Sequence, residues 1–136
     1  MSYRVIDVAG DVGLRVEGRT LEECFVNAGL GLYSLITDLD QIKQKKQIEI
    51  EISEESLDNL LVSFLNELIF NFDAYGFIGN TIELKIEKNS LKAKVQGETF
   101  DPEKHERRLL VKAATYHNLI LKQENTHWIA EIIFDI

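Results

Sequence analysis

Carboxylates at the two ends of the chain are the residues whose type and spacing could do chemistry. Asp7 and Asp11 flank an Ala9-Gly10 bend, and Asp135 is followed only by Ile136 with its α-carboxylate. These groups have ordinary pKa values of about 3.3–3.9 and are ionised at pH 7. If the first and last strands meet, the charges lie close together, and two carboxylates about 4 Å apart repel by roughly 4 kcal/mol at an effective dielectric near 20. A bridging cation would remove that repulsion.

A cluster of carboxylate oxygens suits a hard divalent cation. Calcium takes six to eight oxygen ligands at about 2.3–2.6 Å, and main-chain carbonyls and waters complete its shell. Calcium is therefore the favoured ion and magnesium the smaller rival. Asp11 could approach the terminal pair of Asp135 and Ile136, and Asp7 is a further candidate acid of the same region. The alternative is an acidic surface patch whose members never converge.

The three histidines and one lysine are the remaining candidates. His105 is expected in an exposed loop, His117 on a strand and His127 in a turn, and none has metal-ligand spacing such as H-x-x-x-H. No serine or cysteine stands in a recognisable nucleophile motif. Lys112 is the only Lys or Arg in the run "LLVKAATYH". It is either a strand lysine that extends to solvent or a fixed positive charge that meets an acidic group on a partner.

The overall charge and composition limit the classes of partner. The net charge of −8 opposes strong autonomous binding of nucleic acid and favours a cation or a basic partner protein. No apolar run reaches the roughly 18–20 residues that span a bilayer. The start "MSYRVIDVAGDVG" lacks the pattern of a signal peptide. Cys24, the single cysteine, is expected to be buried and inert. These features predict a cytoplasmic location.

The apolar periodicity predicts the elements that must position these residues. The segments "YRVIDVAG" and "DVGLRVEG" predict two short strands. A helix follows over "TLEECFVNAGLGLYSLI", with Thr20 as its N-cap and Glu23 three residues on. "IEIEI" predicts a third strand, and Ser53 is expected to cap a second helix that Gly76 ends. Close packing against a sheet is the expected reason for Gly29 and Gly31 in the first helix.

The second half of the chain is mostly β. "TIELKIE" and "LKAKV" alternate strictly and are joined by the turn "KNS". "RLLVKAATYHNLILKQ" predicts a long bent strand or two pieces, and the final strand ends at "EIIFDI". The order β-β-α-β-α-β-β-β-β predicts a single α+β domain over residues 1–136. It contains a mixed, largely antiparallel β-sheet with two main α-helices.

Four ordered blocks resemble the signatures of the archease family. They are "DVAGDVGLRVEGRTLEECFVNAGLGLY", "LLVSFLNELIFNFDAYGF", "GETFDPEKHERRLLVKAATYH" and the closing "IIFDI", and together they span nearly the whole chain. One departure is that Val8-Ala9-Gly10 replaces the family's usual His-Thr-Ala. The second acid, Asp11, and the position of Gly13 are kept. Roles that the family gives to that histidine or threonine therefore do not carry over.

The resemblance implies an acidic accessory protein and not an enzyme. Archeases assist the tRNA-splicing RNA ligase by promoting its guanylylation, so that the ligase turns over repeatedly. The family's divalent-metal site, which calcium, magnesium or manganese could fill, maps onto Asp11, Asp135 and the terminal carboxylate of Ile136. The family's functional lysine maps to Lys112, with His117 in the same segment. The expected partner is the ligase, without a membrane, and the expected state is a monomer or weak oligomer.

Two rival functions stay open, and one of them uses the same carboxylates. One is a metal-dependent phosphoester hydrolase, in which His117 would serve as the base beside an open metal position. The other is an RNA-binding or tRNA-binding chaperone module, which the net charge of −8 disfavours.

Overall fold

The secondary-structure elements follow the order expected of an α+β chain. This computed structural model describes residues 3–8 and 11–136, and in them eight strands and two α-helices are formed. The elements in chain order are β1 (Tyr3–Val8), β2 (Asp11–Gly18), α1 (Leu21–Ile36), a short 3-10 helix (Leu39–Gln41), β3 (Lys46–Ser53), α2 (Leu57–Tyr75), β4 (Phe77–Glu87), β5 (Ser90–Thr99), β6 (Ala113–Ala114), β7 (Ile120–Glu124) and β8 (His127–Asp135).

The strands form two separate sheets. The first has the order β1-β2-β8-β6, with β7 pairing to the same strand β8, and the second has the order β3-β5-β4. All strand pairs in the described part of the chain are antiparallel. The predicted single-domain α+β class with two main helices is therefore confirmed, but the described strands form two antiparallel sheets where the sequence predicted one mixed, largely antiparallel sheet.

Helix α1 packs against both sheets, and this explains its glycines. A Cβ at Gly31 would lie 2.7 Å from Leu14 Cδ2 on β2, whereas one at Gly29 would lie 2.6 Å from Ile82 Cδ1 on β4. The predicted reason for these glycines, close packing, is confirmed. The predicted N-cap is confirmed too, since the Oγ1 of Thr20 accepts the N–H of Glu23 at 3.0 Å.

Helix α2 begins later than predicted. Ser53 is the last residue of β3, where it pairs with Ser90 of β5 and shares a 2.7 Å hydrogen bond with that residue's hydroxyl. The prediction that Ser53 caps the helix is therefore wrong. Ser56 is the cap, because its Oγ accepts the N–H of Asn59 at 3.1 Å. Gly76 ends the helix as predicted, with a φ of 69° in the left-handed region.

The segment between β5 and β7 contains little regular strand. The backbone N–H groups of Arg108 and Leu109 donate to the carbonyls of Ile36 and Leu35 at the end of α1, both at 2.9 Å, so they are used outside any sheet. Only Ala113–Ala114 form a strand there. The prediction of His117 on a strand is wrong, because it lies in an exposed turn before β7. His127 begins β8.

Candidate functional site

The pairing of β2 with β8 brings the two ends of the chain together. The register places Asp11 opposite Asp135, and it is fixed by buried apolar pairs such as Leu14 opposite Ile132, both 0 % exposed. A slip of one residue would turn these apolar side chains outwards, so the core specifies the register. Residues directly opposite each other have Cβ atoms about 4.5–5.5 Å apart on one face of the sheet. Asp11 and Asp135 are therefore neighbours.

A third strand joins the other edge of β8 at the same level. Ala113 of β6 is opposite Asp135, and the N–H of Lys112 donates to the carbonyl oxygen of Asp135 at 2.8 Å. The side chains of Lys112, Asp135 and Ile136 are exposed, and that of Asp11 is half-buried. The structure thus gathers Asp11, Lys112, Asp135 and Ile136 at one corner of the first sheet.

The other two candidates have different surroundings. The N–H of His117 donates to the Oγ1 of Thr115 at 3.3 Å, and its ring faces Asn118, so no contact in the described residues joins it to the acids. The backbone of Asp7 pairs with Val12, the residue that follows Asp11 in β2. The side chains of Asp7 and Val8 and the whole of the Ala9-Gly10 bend lie outside the described residues.

The pairing of charged side chains differs along the β2–β8 ladder. Arg15 and Glu131 are opposite each other, and their side chains form an ion pair at 2.9 Å. Among the residues that the structure describes, no basic side chain forms an ion pair with Asp11 or Asp135. Like charges directly opposite are destabilising. This level of the sheet would therefore be stabilised by a cation.

The donor chemistry at this corner fits a hard divalent ion when the chain terminus takes part with the two aspartates. In residues 3–8 and 11–136, no group of three or more His, Cys, Asp or Glu side chains is placed to hold a metal. Asp11 and Asp135 supply two carboxylates, and the α-carboxylate of Ile136, which is not a side chain, is the next group along the chain. Such an oxygen-only set suits calcium or magnesium.

A second polar cluster lies at the end of β5, where sequence reasoning did not expect one. Glu98 and His105 are 7 % and 5 % exposed, and His105 Nε2 lies 3.3 Å from Glu98 Oε2. The prediction of an exposed His105 is therefore wrong. Its Nδ1 accepts the N–H of Asp101 at 2.8 Å, so the ring proton is assigned to Nε2, which faces Glu98. The strand period of two places Glu98 on the outer face, so the sequence carried no signal for this pair.

This cluster anchors the segment that leads to Lys112. The backbone N–H of Lys43 donates to Glu98 Oε2 at 2.6 Å, which ties the connection before β3 to the end of β5. Further along, a guanidinium nitrogen of Arg108 donates to the carbonyl of Ser34 at 3.0 Å. Carbonyls in the last turn of a helix lack partners within the helix, so Arg108 satisfies one of them in α1.

The stability of the protein should depend on the ionisation of Glu98. The Lys43 N–H holds the pKa of Glu98 below its usual value of 4.5, helped by His105 and Lys45, although burial opposes the shift. Because the folded-state pKa is lowered, the stabilisation is present above pH 4.5 and is lost as the pH falls through the lowered pKa. We expect thermal unfolding of wild type to move to lower temperature below pH 4.5 more steeply than that of Glu98→Gln.

At pH 7 the Glu98→Gln variant should lose about 1.5–3 kcal/mol of unfolding free energy, since hydrogen bonds to a charged group are being weakened. Glu83→Gln, at an exposed acid of β4, is the matched control and should behave as wild type. Parallel pH profiles for wild type and Glu98→Gln would contradict the assigned role of Glu98.

Cys24 is a buried thiol of low reactivity. Cys24 is fully buried as predicted, and burial, with Glu17 and Glu23 nearby, raises the pKa of its thiol to about 12. The thiolate is therefore scarce at pH 7. In the described residues, neither helix combines the length and the apolar character that a membrane-spanning segment requires.

The fold and this corner together define a class of protein, an acidic α+β domain in which the end of the chain is paired beside an aspartate from the second strand. The chain belongs to the archease family, because the family model described as the Archease protein family matches residues 3–136. The resemblance found in the sequence motifs is thereby confirmed.

Curated relatives and solved structures agree with this assignment. The protein archease of Pyrococcus furiosus is 40% identical over 131 residues, which cover 93% of this chain and 92% of the relative. That of Sulfolobus acidocaldarius is 36% identical over 136 residues and covers 98% of both chains. The solution structure of Methanobacterium thermoautotrophicum protein 1598 has a TM-score of 0.85, 29% identity and 99% coverage of both chains.

A crystal structure from Thermotoga maritima shares the fold alone. It has a TM-score of 0.63 and 21% identity, covers 96% of this chain and 94% of its own, and is described as an archease, possible chaperone.

Proposed function

We propose that this chain is a non-enzymatic, metal-binding accessory protein that activates the tRNA-splicing ligase by promoting its guanylylation and multiple turnover. The observation that carries the proposal is the register that places Asp11 opposite Asp135. Membership of the archease family supports it. The description of the Thermotoga maritima protein as a possible chaperone is consistent with an action on another protein.

In this proposal Asp11, Asp135 and the terminal carboxylate of Ile136 hold a divalent cation, with calcium favoured and magnesium or manganese as alternatives. The bound ion supplies the positive charge that offsets the repulsion among the three carboxylates. The carboxylates in turn link the start of β2 to the end of β8, so that the chain terminus is held in a single position. A fixed terminus gives the partner a defined surface to recognise.

Lys112 provides the positive charge of the same corner. Its backbone is fixed by the 2.8 Å hydrogen bond to Asp135, and its side chain is exposed, so the ammonium group is available to an acidic group of the ligase. The exposed turn at His117 is available for further contact. The surrounding protein has a net charge of −8, which steers the encounter towards a basic region of the partner.

The test measures guanylylation of the ligase with increasing amounts of wild type, Asp11→Asn or Asp135→Asn. Asparagine keeps the side-chain size and removes one charged oxygen ligand. We expect the maximal stimulation to fall at least roughly ten-fold, since even groups that only support a metal ligand are worth about 10–100-fold. Glu49→Gln, at an exposed acid of β3, is the control for the loss of one negative charge. Folding of each variant is checked by thermal unfolding.

Undiminished stimulation by both aspartate variants would rule out the proposed function. The two rival functions are tested with the same wild-type preparation. Turnover of a phosphoester by the protein alone would favour the hydrolase. Tight, salt-sensitive binding of tRNA by the protein alone would favour the RNA-binding module.

A further inference from the structure

Several exposed apolar side chains belong to the chain segments that form the corner with the acids. In the described residues the exposed large apolar side chains are Val5, Phe70, Tyr75, Leu110, Tyr116 and Ile136. Leu110 is 60 %, Tyr116 57 % and Ile136 39 % exposed, and all three belong to the two chain segments that carry Lys112 and Asp135. We call Leu110, Tyr116 and Ile136 the apolar rim.

The backbone holds the apolar rim in place. Val111 is 3 % exposed and anchors the segment in the core, so Leu110 and Lys112 on either side of it are both exposed. The hydrogen bond from the N–H of Lys112 to Asp135 holds this segment against the end of the chain.

Tyr116 is held on the other side of the corner. The N–H and the Oγ1 of Thr115 both donate to the carbonyl of Ile133, at 3.0 and 2.9 Å. Tyr116 therefore follows a residue that is fixed to β8, and Leu110 precedes the segment that is fixed to Asp135. A surface held in this way loses little conformational freedom when a partner binds.

We infer that the apolar rim is the docking surface through which this protein contacts the ligase, and that it binds an apolar patch bordered by Arg or Lys side chains. The inference rests on the proposed function and adds the surface that the partner recognises. The charge of the corner decides the partner's chemistry, because the segments that carry the apolar rim are bonded through their backbone to the strand that ends in Asp135 and the terminal carboxylate. Aromatic or aliphatic anchors bordered by polar groups are typical of binding interfaces.

A second copy of this chain fits the rim less well. Two copies would bring together like surfaces on chains that each carry a net charge of −8. A stable interface buries about 800 Å² on each partner, which is more than three partly exposed side chains supply. A small apolar rim with charges suits a transient complex, and an activator that serves many rounds of ligation must also dissociate.

The experiment is a titration of ligase guanylylation with wild type, Leu110→Ser or Tyr116→Ser. We expect the concentration for half-maximal stimulation to rise about ten-fold or more in each variant, as for the loss of a hot-spot side chain. The maximal stimulation should stay at the wild-type level, because the acids and Lys112 are unchanged. Tyr75→Ser is the matched control, since Tyr75 is 68 % exposed at the end of α2, nine residues beyond Asn66, the residue of α2 that bonds to β6.

Wild-type half-maximal concentrations for both Leu110→Ser and Tyr116→Ser would overturn the inference, and so would an equal rise with Tyr75→Ser. Sedimentation of the protein alone tests whether the apolar rim binds a second copy of this chain. A dimer that both Leu110→Ser and Tyr116→Ser abolish would also overturn the inference. Failure of the proposed function is distinguishable, because it would leave the maximal stimulation undiminished in Asp135→Asn, whereas failure of this inference would leave the half-maximal concentration unchanged in Leu110→Ser and Tyr116→Ser. Absence of any stimulation by wild type would refute the proposed function, and this inference with it.

Discussion

Adding one glycine after Ile136 should weaken the binding of divalent cations at least roughly ten-fold and should reduce stimulation of the ligase in parallel. The extra residue replaces the terminal carboxylate by a neutral peptide carbonyl and moves the negative charge about 3.3–3.6 Å further along the chain. At an effective dielectric near 20, a unit charge about 4 Å from another is worth roughly 4 kcal/mol. Ten-fold in affinity corresponds to only about 1.4 kcal/mol. Titration calorimetry with calcium and magnesium measures the effect.

The control for this prediction is Ile136→Val, which keeps the terminal carboxylate in place and should bind cations as wild type does. The extension should leave the fold intact, because the last strand ends at Asp135 and Ile136 is already 39 % exposed. Thermal unfolding in the presence of a chelator checks this. Wild-type affinity in the extended protein would show that the terminus is not a ligand, whatever the aspartate variants do.

Replacing Gly97 by alanine should lower the free energy of unfolding by about 3 kcal/mol or more, the upper range for overpacked sites. Gly97 of β5 pairs with Gly79 of β4, and a Cβ on Gly97 would overlap the carbonyl oxygen of Ile78 and lie 2.6 Å from Gly79 Cα. These are backbone atoms of the neighbouring strand, so they cannot move aside without breaking the β4–β5 ladder. Urea denaturation followed by circular dichroism measures the loss.

Gly31→Ala is the control, because it adds the same methyl group at a position where the neighbour can yield. The new Cβ would lie 2.7 Å from Leu14 Cδ2, which is the end of a flexible side chain. Alanine also gains about 1 kcal/mol over glycine inside a helix. We expect a net change below about 1 kcal/mol. An equal loss in the two variants would contradict the distinction between backbone and side-chain obstacles.

The proposed metal site depends on a last strand that is held firmly in the sheet. Phe134 is 0 % exposed and pairs with Val12, one position before the opposed acids. A frayed end would place the terminal carboxylate at no fixed distance from Asp11. The core therefore positions the proposed ligands.

Elements governed by neighbours in the chain were determined by the sequence alone. Thr20 caps α1 and Gly76 ends α2 as predicted, because capping depends on a few adjacent residues. The alternating segments became β2, β4 and β5, because a period of two separates the buried face from the exposed face. The same patterns indicated the α+β class and, through four quoted blocks, the archease family.

Features that depend on distant partners were decided by the tertiary structure. Ser56 and not Ser53 caps α2, because Ser53 pairs with Ser90 and so belongs to β3. His105 and Glu98 are buried together, although the strand period predicts that the side chain of Glu98 is exposed. The sequence could name Asp11 and Asp135 as acids near the two ends, but only the β2–β8 register makes them neighbours. That register is set by the apolar pairs along the whole ladder, because a shifted register would expose their buried side chains. The acids themselves do not set it.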